Sequence, residues 1–209
     1  MKSCCESKST ELDQLREKQK NVLIIVLIIN FTMFLVEFFY GLLSNSTALL
    51  SDSLDMLGDA TVYAFSLYVI NKSVRWKAKA AILKGVIITL FGLYVFGEAL
   101  YKAMSDVLPV AQTMGAVGLL ALTANASCLF LLLKHREDDI NMKSTWICSR
   151  NDIIANIGIL IAAGLVYLLE SKWPDIIIGM IIAGVFLKSA FAILGESLRI
   201  FKTNPENPQ

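Results

Sequence analysis

Four acidic residues interrupt stretches that are otherwise apolar, and they carry the chemistry of this chain. Asp52, Asp55 and Asp59 fall in the run STALLSDSLDMLGDATVYAF. Asp152 falls in STWICSRNDIIANIGIL, with Cys148 four residues before it. A carboxylate near the middle of a bilayer costs at least ~2.5 to 3.5 kcal/mol on insertion scales, so acids placed there mark function. Residues four apart project from the same helix face one turn apart. Asp55 with Asp59, and Cys148 with Asp152, therefore form two pairs that together offer three carboxylates and a thiolate to one dication. A fourfold oxygen and sulfur donor set suits zinc or cadmium, with cobalt, manganese or iron less favoured, and thiolate softness tells against magnesium and calcium.

These pairs need rigid supports inside a membrane. The 209 residues are 56% hydrophobic and 18% charged, and the mean hydropathy is +0.61. Disorder is excluded over most of the length. The net charge of +1 tells against a nucleic-acid partner. A spanning helix needs about 20 mostly apolar residues, and six stretches qualify: 21–43, 46–71, 80–103, 111–133, 144–169 and 175–197. The expectation is an all-α integral membrane protein of three parts: an N-terminal arm (1–20), a six-helix domain (21–201) and a short tail (202–209). The arm is polar and lacks the apolar middle of a secretory signal.

Lys and Arg in short loops set the orientation. Lys2, Lys8, Arg16, Lys18 and Lys20 precede the first span, Lys72, Arg75, Lys77 and Lys79 follow the second, Lys134, Arg136 and Lys143 follow the fourth, and Arg199 and Lys202 follow the sixth. The opposite side has Lys102 and Lys172. Both termini are thus expected in the cytoplasm. At ~1.5 Å per residue, Asp59 and Asp152 then lie roughly 18 Å and 14 Å from the cytoplasmic ends of their spans, a comparable depth.

Other residues leave alternatives open. Asp152 could pair with Arg150. Cys148 could be a small buried hydrophobe, and Asn151, about 100° round the helix from Asp152, a supporting or alternative ligand. Asp52 reads equally as an exit-path carboxylate or as a helix-start or interface carboxylate, and is left outside the ligand set. Glu37, Asn125 and Asn156 could line a cavity or hold helices together. Cys4 and Cys5 make an incomplete metal site, and none of the four cysteines shows disulfide spacing.

The block Ser46-Thr47-Ala48-Leu49-Leu50-Ser51-Asp52-Ser53-Leu54-Asp55-Met56-Leu57-Gly58-Asp59 resembles the second-helix signature of the cation diffusion facilitator family, in which His or Asp and an Asp four residues later bind the transported metal. Asp55 and Asp59 match those positions. Cys148 to Gly158 is similar to the fifth-helix motif, with Asp152 at the second ligand position and Cys148 where the family carries His or Asp. The resemblance covers about 21–201, Glu37 and Trp173-Pro174-Asp175 included. It implies a short member without the family's cytoplasmic C-terminal domain and without a histidine-rich loop, His135 being the only histidine. It further implies a metal/proton antiporter, with zinc or another divalent cation as substrate rather than cofactor, working as a homodimer through its transmembrane helices. In a bacterium the location would be the inner (plasma) membrane. The competing classes are an intramembrane aspartyl enzyme, tested by peptide cleavage, and a passive channel or sensor, tested by the dependence of flux on a pH gradient.

Overall fold

A computed structural model describes residues 4–69, 74–133 and 140–203, with side chains chiefly in 20–61, 82–133 and 152–188. The elements are six α-helices: α1 (Cys4–Leu43), α2 (Thr47–Val69), α3 (Val74–Met104), α4 (Ala111–Leu133), α5 (Ile140–Leu169) and α6 (Trp173–Thr203). Among the described residues there is no strand. Four helices are long and apolar enough to cross a membrane, over Lys20–Leu43, Gly85–Met104, Ala111–Leu133 and Asp152–Leu169. The segment expected as an N-terminal arm continues α1 back to Cys4. Its Glu, Leu, Gln, Arg and Lys residues are good helix formers, so it extends the helix with no apolar face of its own.

The packing is that of a protein dissolved in lipid. Along α1, Val26, Asn30, Met33, Glu37 and Gly41 face inward, while Ile25, Ile28, Phe31, Leu35 and Phe39 face outward and exposed. Polar side chains inside and hydrocarbon outside reverse the order of a water-soluble bundle, where burying apolar surface is the driving term. α2 lies at the centre and touches every other helix. Around it Ala48 and Leu49 pack with Met114, Val117, Ile159 and Ala162. On its other side Leu50 and Leu54 pack with Val95 and Ala183.

Small residues let the helices close in. A Cβ on Gly179 of α6 would stand 2.7 Å from the Thr47 carbonyl carbon and 2.9 Å from the Ala48 nitrogen, so only glycine permits this α2–α6 approach. α1 ends in a Schellman turn: Ser46 N donates to Gly41 O (2.9 Å) and Asn45 N to Leu42 O (3.2 Å), with Asn45 left-handed at φ 52°.

Three turns meet at one end of the bundle. Val110 N donates to Ser44 O at 2.9 Å, joining the α3–α4 connection to the α1–α2 turn. Lys172, between α5 and α6, donates to Ala103 O at 3.1 Å and to Ser105 O, placing a cation on the carbonyl end of α3. This is the end poor in Lys and Arg. Lys102, expected there, is in the last turn of α3 and is buried, 3.6 Å from Glu98.

Candidate metal site

Three of the four side chains expected to bind metal line one cavity. Asp55 and Asp59 enter it from α2 and Asp152 from α5; its volume is about 540 Å³. The opposite wall, Ile178, Ile181, Ile182, Val185 and Phe186 of α6, offers no donor. Gly58, between the two aspartates, holds the face open for Phe186, whose ring would meet a Cβ there at 2.5 Å. Asp152 is 6% exposed and within side-chain hydrogen-bonding reach of Asp55 across the α2–α5 gap, with the Asp59 and Asp52 charges also felt there. Cys148 sits in α5 one turn before Asp152, but its side chain, like those of Arg150 and Asn151, lies outside those described, as do Cys4, Cys5 and His135. Among the described residues no three Asp, Glu, His or Cys side chains are gathered tightly enough to chelate one ion. The carboxylates share a chamber rather than a closed coordination shell.

Behind the chamber lies a polar chain that sequence reasoning left unresolved. Asn125 of α4 donates from Nδ2 to Asn156 Oδ1 at 3.2 Å, and Asn156 of α5 donates to Asp52 Oδ2 at 2.6 Å. All three are buried. Of the readings open for Asp52, the structure shows the interface carboxylate: it is a buried acceptor tying α2 to α5. Spacing held a clue, since Asp52, Asp55 and Asp59 stand at i, i+3 and i+7, and Asp152 and Asn156 at i, i+4, each set on one stripe.

The start of α2 is fixed by a carboxylate from another helix. Asp175, in the first turn of α6, accepts from Ser46 Oγ (2.6 Å), Thr47 N (2.7 Å) and Ala48 N (3.0 Å). Ser46 Oγ in turn accepts from Leu49 N at 3.1 Å, the N-cap bond of α2. An anion on free backbone N–H groups at a helix N-terminus is favourably placed.

The site thus sets the half-buried Asp55 and Asp59 of α2 and the buried Asp152 of α5 in one cavity within a multi-helix bundle. Residues 23–201 match the family described as the cation efflux transmembrane domain, and the chain belongs to that family. It is an integral, multi-pass membrane protein of a family of transporters, not enzymes. It is similar to a cadmium, cobalt and zinc/H(+)-K(+) antiporter of Bacillus subtilis, 25% identical over 203 residues, covering 90% of this chain and 65% of the relative. The zinc transporter ZitB of Pectobacterium atrosepticum is 30% identical over 193 residues, with 84% and 59% covered. The metal cation efflux system protein CzcD of Cupriavidus metallidurans is 23% identical over 188 residues, with 84% and 60% covered. The chain spans less than two thirds of the length of each.

Proposed function

We propose that this protein exports a divalent metal cation, zinc first and cadmium, cobalt or iron as alternatives, in exchange for protons. The observation that carries the reading is the convergence of Asp55, Asp59 and Asp152 on one cavity whose remaining wall is hydrocarbon. Three like-charged carboxylates sharing such a place are costly, and a dication removes the cost by exchanging its water for anionic oxygens. The names of the relatives, which include zinc, cadmium and cobalt, support the same choice.

The ligand set comprises Asp55, Asp59, Asp152 and Cys148. In the family's manner the metal enters from the cytoplasm, α2 and α5 draw their ligands together around it, and the bundle rocks to open outward. All six helices span in this reading, and both termini face the cytoplasm. Ligands must be deprotonated to bind, so metal capture releases protons and acid on the far side promotes release. A homodimer through the transmembrane helices is part of the proposal, as is the division into a 1–20 arm, a 21–201 transport domain and a 202–209 tail.

The test is zinc flux in vesicles reconstituted with full-length protein, with and without a pH gradient. Asp59→Ala and Asp152→Ala are expected to abolish flux while the protein still inserts. Normal flux by Asp59→Ala would remove the site assignment, and flux indifferent to the gradient would replace the antiporter with a channel.

A further inference from the structure

Among the described side chains, Glu37 is the charged residue of the inner face of α1. It is 0% exposed, and neither carboxyl oxygen has a hydrogen-bond partner among the described residues. Asp52, also 0% exposed, has its Oδ1 equally unpartnered, its Oδ2 being held by Asn156. The charges felt at Glu37 are Asp52 and Asp55 of α2, both of its own sign. α4, the other helix packed on α1, has no charged residue over Ala111–Leu133. Its one thiol, Cys128, accepts from Asn30 at 3.8 Å. α3 reaches α1 through Phe91 against Phe34 and Phe38, and its buried cation, Lys102, is engaged with Glu98 and Asp175 instead. From α5, Asp152 faces the α2 carboxylates.

A sealed carboxylate with like charges beside it and no donor or cation to meet it is among the costliest arrangements a protein can hold. Glu37 and Asp52 do not line the 540 Å³ cavity that the three aspartates share. A proton needs no cavity. We infer that Glu37 is the proton-carrying carboxyl of this transporter, a counter-ion station separate from the metal ligands. This rests on the proton exchange proposed above and names the group that performs it.

The step balances simply: as the bundle rocks and water reaches the site, a hydronium ion gives its proton to one Glu37 carboxylate oxygen, leaving water and a neutral acid, and the proton later passes to another water to regenerate hydronium and carboxylate. Coupling is electrostatic. A dication among Asp55, Asp59 and Asp152 cancels the negative field that holds the proton on Glu37, so metal capture expels it. Reprotonation restores that field's neighbour to neutrality and the metal is released. The two cargoes need not share a single oxygen.

Infrared spectra of the metal-free full chain in vesicles, titrated with acid, test the station directly. The stretch of a protonated buried carboxyl is expected in the wild type and in Asp59→Ala, lost in Glu37→Gln and shifted but present in Glu37→Asp. A wild type without a Glu37-dependent band overturns the inference whatever the transport assay gives. Zinc chloride calorimetry in buffers of different protonation enthalpy reads the coupling. Glu37→Gln is expected to release about one proton fewer per zinc than the wild type while still binding it. Unchanged proton release, or zinc binding lost in both Glu37→Gln and Glu37→Asp with the fold intact, would overturn it. If both spectroscopic and calorimetric results hold but vesicles show no zinc flux, the export reading falls and the proton station stands.

Discussion

At the residue scale the donor types decide what can bind. Carboxylates alone would serve magnesium or manganese as readily as zinc; the proposed Cys148 thiolate is the one soft donor. Cys148→Ser is therefore expected to weaken cadmium and zinc binding by about tenfold or more, by the scale of changes at metal-supporting positions, and to narrow the preference over manganese. Binding titrations across a panel of divalent ions read this, and an unchanged ranking would take Cys148 out of the site. Asn156, four residues after Asp152 on the same stripe, holds Asp52 at 2.6 Å. Asn156→Ala leaves that buried acceptor without its donor. The expected cost is about 1–3 kcal/mol of stability, read by thermal unfolding in detergent.

Ligand deprotonation gives the pH dependence its sign. Protons compete with metal for carboxylate and thiolate alike, so apparent zinc affinity is expected to rise from pH 5.5 to 7.5. Calorimetry over that range checks it. Affinity that falls with pH would contradict ligation by acidic side chains.

At the element scale, α2 and α6 are coupled more tightly than their lengths require. Asp175 accepts three hydrogen bonds from the start of α2, and Ser51 Oγ donates back to Gly179 O at 2.8 Å. Gly179→Ala would push a methyl into the Thr47 backbone, an overpacking cost of ~1–3 kcal/mol. Gly164→Ala, where a Cβ meets nothing within 4 Å, is the control and is expected to be neutral or slightly stabilising. Thermal unfolding of the two variants in one detergent separates them. The helices themselves were largely legible, since about 20 apolar residues between polar breaks leaves little choice, and the expected spans fall within the observed helices to a few residues. The overruns, such as α1 beginning at Cys4 and α5 at Ile140, come from polar residues with good helix propensity, which hydropathy does not register. Asp55, Asp59 and Asp152 were legible because acids within otherwise apolar stretches are conspicuous. Glu37, Asp52, Asn125 and Asn156 were visible too, but telling a lining residue from a structural one takes knowledge of which helices touch, and that follows from three-dimensional packing around α2.

At the scale of the whole molecule, an antiparallel order places the α1–α2, α3–α4 and α5–α6 turns together, as the contacts of Ser44, Val110 and Lys172 require. With Lys and Arg concentrated at the opposite end, tags at Met1 and Gln209 are expected to be cut by protease only after the cells are permeabilised. A tag after Val107 should be cut in intact cells. The reverse pattern would invert the proposed direction of transport.

The α6 wall of the chamber, from Ile178 to Phe186, has a consequence for which ions can pass. A cation bound there by the three carboxylates gains no ligand from that side, because isoleucine, valine and phenylalanine offer no donor. Under the proposed export function, an ion that gives up its water reluctantly, as magnesium does, is expected to be disfavoured against that wall.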